Sequence, residues 1–405
     1  MRVAINLVEF TPGAMGGIET YVLNLLQWLV HNDTGSHYTV VCSESNAGFF
    51  RAINPRIRIT TIDNRRRSMD RMVRSLLRKT VGVDLLARRI DALGADVVHN
   101  PLTNIRPMTL STPSVVTFHD IQHEYHPELF SRRELLRRKE KYGKAAHGAD
   151  RIIAISCHVK KTLIDTFSLR PDKIDVVYQG CGPEYRAIHG DSRLEAIREK
   201  YDLYRPFLYY PAAMWPHKNH GNLLRALKML RVLNSFDGRL VLTGITRHAS
   251  AEVTEEIRRL GLDDMVQVLG CLPYEELPYL YNLARVMVFP SFFEGFGIPL
   301  VEAMACGCPV VCSERTSIPE VTGDAGVLFD PTSPADIADT ILSVWNDGHR
   351  LAAMRQRGLA RARDFSWEQT AWKTRDVYLK AEGKFRVTDS RGAATGPERR
   401  FREAG

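Results

Sequence analysis

The seven cysteines, Cys42, Cys157, Cys181, Cys271, Cys306, Cys308 and Cys312, are odd in number and include no Cys-x-x-Cys pair. A disulfide framework is a poor account of them, and reduced, mostly buried thiols are the simpler one. Nowhere do eighteen apolar residues run together, which argues against a membrane-spanning helix. The early run Val3-Ala4-Ile5-Asn6-Leu7-Val8 is too short and interrupted for the apolar centre of a signal peptide. A soluble, unexported, cytoplasmic chain is therefore expected. The dinucleotide fingerprint Gly-x-Gly-x-x-Gly is missing at the first loop, which reads Gly13-Ala14-Met15-Gly16-Gly17. No acidic residue closes a second strand at the distance that fingerprint requires.

What is present is globular. With 405 residues, 44% hydrophobic and 25% charged, the chain has more apolar surface than one ordinary core takes up, so two domains are expected. The net charge of +8 suits an anionic ligand, an acidic membrane or nucleic acid, and does not choose among them.

Apolar segments alternate with amphipathic ones throughout. Strands are expected over 2–8, 38–43, 57–61, 95–99, 114–118, 151–155 and 174–177, with helices over 68–93, 132–148 and 156–168. After a turn-rich stretch at 180–205 the alternation resumes, with strands over 206–211, 239–243, 265–269, 286–290, 309–312 and 326–329. Helices are expected between them over 217–234, 250–261, 274–284, 298–306, 334–347 and 349–363. Two doubly wound parallel sheets of the Rossmann-like α/β class follow, with ligands beyond the carboxyl ends of their strands. The domains are placed at 1–190 and 191–365, a helix capped by Ser366 at 366–382, and a disordered tail at 383–405.

The most informative stretch is Pro290-Ser291-Phe292-Phe293-Glu294-Gly295-Phe296-Gly297-Ile298-Pro299-Leu300-Val301-Glu302, between two strand segments. Pro299 suits the first position of a helix and Gly307 the left-handed residue past its end. That puts Glu294 on a loop and Glu302 in the first helical turn. Carboxylates so placed accept from sugar hydroxyls, while amides at the helix start attract anionic oxygen. The bland alternative makes Glu294 a solvated loop residue and Glu302 a charge favourable to the helix dipole.

Other loops at strand ends add candidates. His119 ends the strand Val115-Val116-Thr117-Phe118, and His123 and His126 follow. The spacing of His119 and His123 is open to a metal site, to a histidine donating to a sugar hydroxyl or phosphate, and to a structural role. Lys218 and Asn219, in Trp215-Pro216-His217-Lys218-Asn219-His220, sit near a helix start where an ammonium can meet a diphosphate. Gly244 closes the strand Leu240-Val241-Leu242-Thr243. The runs Arg65–Lys79 and Arg132–Lys144 read either as solvated faces or as contacts to anionic lipid.

The run Glu294-Gly-Phe-Gly-Ile-Pro-Leu-Val-Glu302-Ala-Met-Ala-Cys-Gly resembles the paired-glutamate motif of the retaining glycosyltransferases of family 4, which have the GT-B fold. The resemblance covers the chain from Gly16-Gly17 to Trp367. It implies Glu294 on the donor sugar, Glu302 on the ribose, Lys218 on the diphosphate with Gly16 and Gly17 opposite, and His119 beside the reacting carbon. The donor-binding set it implies is completed by Asn219, Gly244, Phe296, Gly297, Ile298, Pro299 and Leu300, with His119 and Glu294 catalytic. Many relatives carry a second cation before the lysine. Here Ala212-Ala213-Met214-Trp215-Pro216 has none, so either the helix amides and Lys218 suffice or another base such as His217 or Arg247 helps. No Asp-x-Asp occurs, so no metal and no separate cofactor are expected. The loops around His119 and Lys218 are similar to those of bacterial mannosyltransferases of polysaccharide and O-antigen assembly. The implied partners are a nucleotide-sugar, GDP-mannose first and a UDP-sugar as the alternative, and a lipid-linked or oligosaccharide acceptor, with no nucleic acid. An epimerase or phosphorylase of the same plan, or a non-catalytic sugar-nucleotide-binding module, are the rival readings.

Overall fold

The computed structural model describes residues 1–63, 84–105, 107, 110–232, 236–245 and 250–383. The expected helix at 68–93 lies outside these residues except for a helix at Leu85–Asp91, and so do the basic run Arg65–Lys79, Arg247 and the tail beyond Gly383.

The first sheet contains β1 (Arg2–Leu7), β2 (His37–Ser43), β3 (Arg58–Ile62), β4 (Val97–Asn100), β5 (Ser114–Phe118), β6 (Arg151–Ala154) and β7 (Ile174–Val176). Their order is β3-β2-β1-β4-β5-β6-β7, and every pairing is parallel. The second sheet contains β8 (Phe207–Pro211), β9 (Arg239–Thr243), β10 (Val266–Gly270), β11 (Val286–Phe289), β12 (Val310–Ser313) and β13 (Gly326–Phe329). It too is parallel, in the order β10-β9-β8-β11-β12-β13. Because helices cover both faces, the central strands β4, β5, β11 and β12 are buried at every position, β11 as an unbroken apolar run and β4 and β5 with polar His99, Asn100, Ser114 and Thr117 among their apolar residues.

Among the helices are α1 (Gly17–Asn32), α2 (Arg132–Gly148), α3 (Cys157–Phe167), α4 (His220–Arg231), α5 (Ile298–Ala305) and α6 (Trp367–Ala381). The hydroxyl of Ser366 caps α6 by accepting from the Gln369 N–H at 3.1 Å. From there α6 returns to the first sheet, where Trp367, Ala371, Val377 and Tyr378 join a core with Leu7, Tyr21 and Val97. A buried polar chain fixes this return. The Tyr378 hydroxyl meets His99 Nδ1 at 2.8 Å, His99 Nε2 meets Thr117 Oγ1 at 2.8 Å, and Thr117 meets the Tyr21 hydroxyl at 3.1 Å. Short helices at Ala47–Ile53, Gln122–Tyr125 and Ile318–Thr322 have no counterpart in the sequence reading, since four to seven residues give too little periodicity to register.

In each sheet the strand order reverses once, between β1 and β4 and between β8 and β11. Chains leaving neighbouring strands there diverge to opposite sides and open a crevice at the carboxyl edge. The two crevices face each other.

Candidate active site

The loop after β8 carries Lys218 and the loop after β11 carries Glu294, so the second reversal brings them together although 76 positions separate them. Lys218 Nζ lies 2.6 Å from Glu294 Oε1, with side chains 19% and 11% exposed. The Glu294 loop is held from below. Thr316 Oγ1 accepts from the Glu294 N–H at 3.1 Å, and Ser317 Oγ donates to the Glu294 and Phe296 carbonyls at 3.0 and 3.1 Å.

Glycine is required at position 295, because a Cβ there would stand 1.8 Å from the His119 carbonyl oxygen of the first domain. The same residue is tied across the gap, its carbonyl accepting from Ser156 Oγ at 2.7 Å. Alongside, Glu320 accepts from the Cys157 N–H at 2.6 Å and the His158 N–H at 3.0 Å, so a carboxylate of the second domain caps α3 of the first. Phe293, 4% exposed, fills the seam against the rings of Tyr125, His126 and His158 at 6.0, 5.7 and 5.9 Å.

Between the sheets lies a cleft of about 630 Å³ lined by Gly16, Gly17, His119, Lys218, Gly244, Glu294, Phe296, Gly297, Ile298, Pro299 and Glu302. Eleven of the thirteen expected site residues thus share one space. Asn219 does not line it: it is 5% exposed and its amide donates to the carbonyls of Pro290 and Pro331 at 3.0 and 2.8 Å. Its place is to brace the loop. Leu300 is fully buried, with its Cδ1 close under Gly297. An apolar side chain facing inward from the first turn of α5 packs the core instead of the ligand.

The position of Glu302 also differs from expectation. The helix begins at Ile298 with Pro299 second, so Glu302 lies in its second turn. It is 8% exposed and accepts from the Tyr281 hydroxyl at 2.7 Å. Burial lifts its pKa to about 7, against the lowering effect of the Tyr281 and Tyr185 hydroxyls.

His119 is 6% exposed, and burial holds its imidazole below the usual histidine range. Its Nε2 stands 2.9 Å from the Pro101 carbonyl, which can only accept, so Nε2 carries the proton. Nδ1, approached by the Gln179 amide at 3.5 Å, is left as an acceptor. The expected donor is thus an acceptor for a ligand hydroxyl. The histidines do not converge: His123 lies against Tyr142, with ring centres 4.6 Å apart, and His126 pairs with Glu128 at 3.0 Å. Among the described residues no cluster of His, Cys, Asp and Glu is arranged to hold a metal ion. His217 lines the cleft, but burial first, then Lys218, lowers its pKa to about 3, so it supplies no second positive charge.

Comparison with known proteins follows the same division. The family model for glycosyltransferase family 4 matches residues 15–185, and that for glycosyl transferases group 1 matches residues 195–361. The chain is 35% identical over 271 residues to O-antigen chain mannosyltransferase B of Escherichia coli, covering 65% of this chain and 70% of the relative. The chain belongs to this glycosyltransferase family. It is accordingly an enzyme of glycosyl transfer. It is also 31% identical over 248 residues to serotype-specific mannosyltransferase WbdA of Escherichia coli, a match over 60% of this chain and 29% of that protein. The crystal structure of Anabaena Alr3699/HepE in complex with UDP and glucose superposes with a TM-score of 0.73 at 19% identity, covering 94% of this chain and 100% of that one. The glycosyltransferase thus has the GT-B fold.

Several cleft residues of this glycosyltransferase escaped the sequence reading, among them Asp120, Gln179 and Tyr281. Asp120 and Gln179 follow β5 and β7, where the carboxyl-edge rule would have found them. Tyr281 projects from a short helix, Leu277–Leu283, and no local pattern marks it.

Proposed function

We propose that this glycosyltransferase moves mannose from GDP-mannose, with retention of anomeric configuration and without a metal ion, onto a lipid-linked or oligosaccharide acceptor in cell-surface polysaccharide synthesis. The observation that carries this reading is the convergence of Lys218, Glu294, Glu302 and His119 on one interdomain cleft. Lys218 and the amides entering α5 meet the diphosphate and stabilise the charge that develops as it leaves. Glu302 accepts from the ribose, Glu294 from the donor sugar, and Nδ1 of His119 from a further sugar hydroxyl. Among the described residues no side chain is placed as an obvious nucleophile, so on this reading the diphosphate departs from the face the acceptor enters, and its oxygen takes the acceptor proton. The named mannosyltransferase relatives support the choice of sugar.

On α2 the exposed Arg132, Arg133 and Arg137 surround Leu136, which is 61% exposed. A basic face with an apolar centre suits peripheral contact with anionic lipid. Among the described residues no helix is long and apolar enough to cross a membrane.

The test is incubation with GDP-mannose or UDP-sugars plus an α-mannoside acceptor, the new anomeric signal being read by NMR at early times. An α-mannosyl product from GDP-mannose is expected. A β product, turnover of UDP-sugars only, or donor epimerisation without acceptor would overturn the reading.

A further inference from the structure

A second cavity, of about 810 Å³, adjoins the donor cleft, and Gly16 and Thr20 line both. Its volume falls within the range of about 300–1,000 Å³ usual for ligand pockets. One wall is the outer face of α1, and Tyr274 of the second domain and Trp367 of α6 close it. We propose that this cavity is an ancillary site for a neutral oligosaccharide, holding a stretch of the acceptor glycan away from its reacting end.

The chemistry of the lining selects the ligand. In a chain of net charge +8, no lysine or arginine is among the described residues lining this cavity, while Glu19 and Glu184 are. Phosphate, nucleic acid and lipid headgroups would find no counter-charge there. Four of the polar side chains are amides, those of Asn24, Gln27, Asn32 and Asn54, and they stand beside the carboxylates of Glu19 and Glu184, the hydroxyl of Thr20 and the imidazole of His31. An amide donates and accepts at once, which matches the paired donors and acceptors of adjacent sugar hydroxyls. The Asn24 NH2 is committed to the Thr20 carbonyl at 2.9 Å, which turns its oxygen into an acceptor.

Three aromatic rings supply the apolar half. Trp28, Tyr274 and Trp367 line the cavity, and such rings offer a flat, electron-rich face to the C–H groups of a pyranose. They are fixed in advance: Trp28 packs edge-to-face on Trp372 at 5.3 Å, and Tyr274 on Tyr185 at 6.0 Å. Preorganisation of this kind reduces the entropy lost on binding. From Thr20 to His31 the wall runs about 16 Å along the helix, longer than one sugar ring. A glycan held there raises the effective concentration of its reacting end at the cleft.

The link to turnover rests on the reading of the donor cleft, so binding is measured separately. Mannohexaose and methyl α-mannoside are titrated calorimetrically into the full chain and into Gln27→Ala and Tyr274→Ala, with donor binding as the control. The wild type is expected to bind the hexaose at least tenfold more tightly than the monosaccharide. Each substitution should weaken hexaose binding about tenfold and leave donor binding unchanged. In transfer assays KM for long acceptors should rise by the same factor while kcat and KM for the monosaccharide hold. Hexaose binding no tighter than monosaccharide binding in the wild type, or hexaose affinity unchanged in both variants, overturns the proposal. Failure of GDP-mannose to bind, with hexaose binding intact, overturns the donor reading alone.

Discussion

Lys218 and Glu294 form a short, largely buried ion pair at the centre of the cleft. In the function proposed above, a donor diphosphate shares the ammonium with the carboxylate, so that Lys218 meets the donor and loosens its hold on Glu294. Lys218→Ala is expected to lower kcat/KM by about a hundred- to a thousandfold, the loss typical of one charge-stabilising donor. Lys218→Arg should rescue little, since a planar fork does not replace a point charge in so small a space. Steady-state kinetics with donor in excess check both. Glu302 gives a pH signature: burial raises its pKa to about 7, and in the proposed reading the ionised form is the stronger acceptor for the ribose hydroxyls. Donor affinity should therefore rise between pH 6 and 8, and Glu302→Gln should flatten the profile, as read from the pH dependence of kcat/KM. Both carboxylates were legible in the sequence because each lies on a loop or helix following an obvious strand. Their surroundings were not. The pairing of Lys218 with Glu294, the Tyr281 contact to Glu302 and the proton on His119 Nε2 all come from residues distant in the chain.

Two contacts between elements set the geometry of the cleft. Gly295 and Glu320 clasp the start of α3, and misplacing the loop by an ångström there moves Glu294 relative to His119. Glu320→Gln keeps the size but removes the charge facing two amides. It should raise the share of donor hydrolysed instead of transferred, by several fold, with little change in melting temperature. An unaltered ratio would assign the clasp no part in closure. At the other end of the chain, Tyr378→Phe strands His99 Nδ1 in the core and should lower stability by about 1–3 kcal/mol, measured by urea unfolding. The helix boundaries show where sequence reading stops. Pro299 is compatible with either of the first two helical positions, and the choice moved Glu302 by one position, from the first turn into the second. Asn219 sits beside Lys218 in the chain, yet its left-handed backbone turns its amide inward to bind two carbonyls.

Two sheets with facing order reversals make the cleft, and alternating strands and helices announced both of them. The way they meet was not announced, since seam residues such as Phe293 and Ser156 look like ordinary loop and cap residues. Burial of imidazoles across the molecule gives stability a definite pH dependence. From 6.5, burial lowers the pKa values of His99 and His217 to about 3 and that of His220 to about 4. The unfolded chain thus binds more protons below pH 6.5, so their contribution is complete above 6.5 and declines on acidification. Glu302, raised from 4.5 to about 7, acts in the opposite sense, but three groups outweigh one. The urea midpoint should accordingly fall from pH 7 to pH 5. The central claim, that the interdomain cleft binds a nucleotide-sugar through Lys218 and Glu302, is tested most directly by calorimetric titration of GDP-mannose into the wild type and the Lys218→Ala/Glu302→Ala double variant. Saturable binding by the wild type, weakened at least a hundredfold in a variant that still folds, is the predicted result; equal binding by both would contradict it.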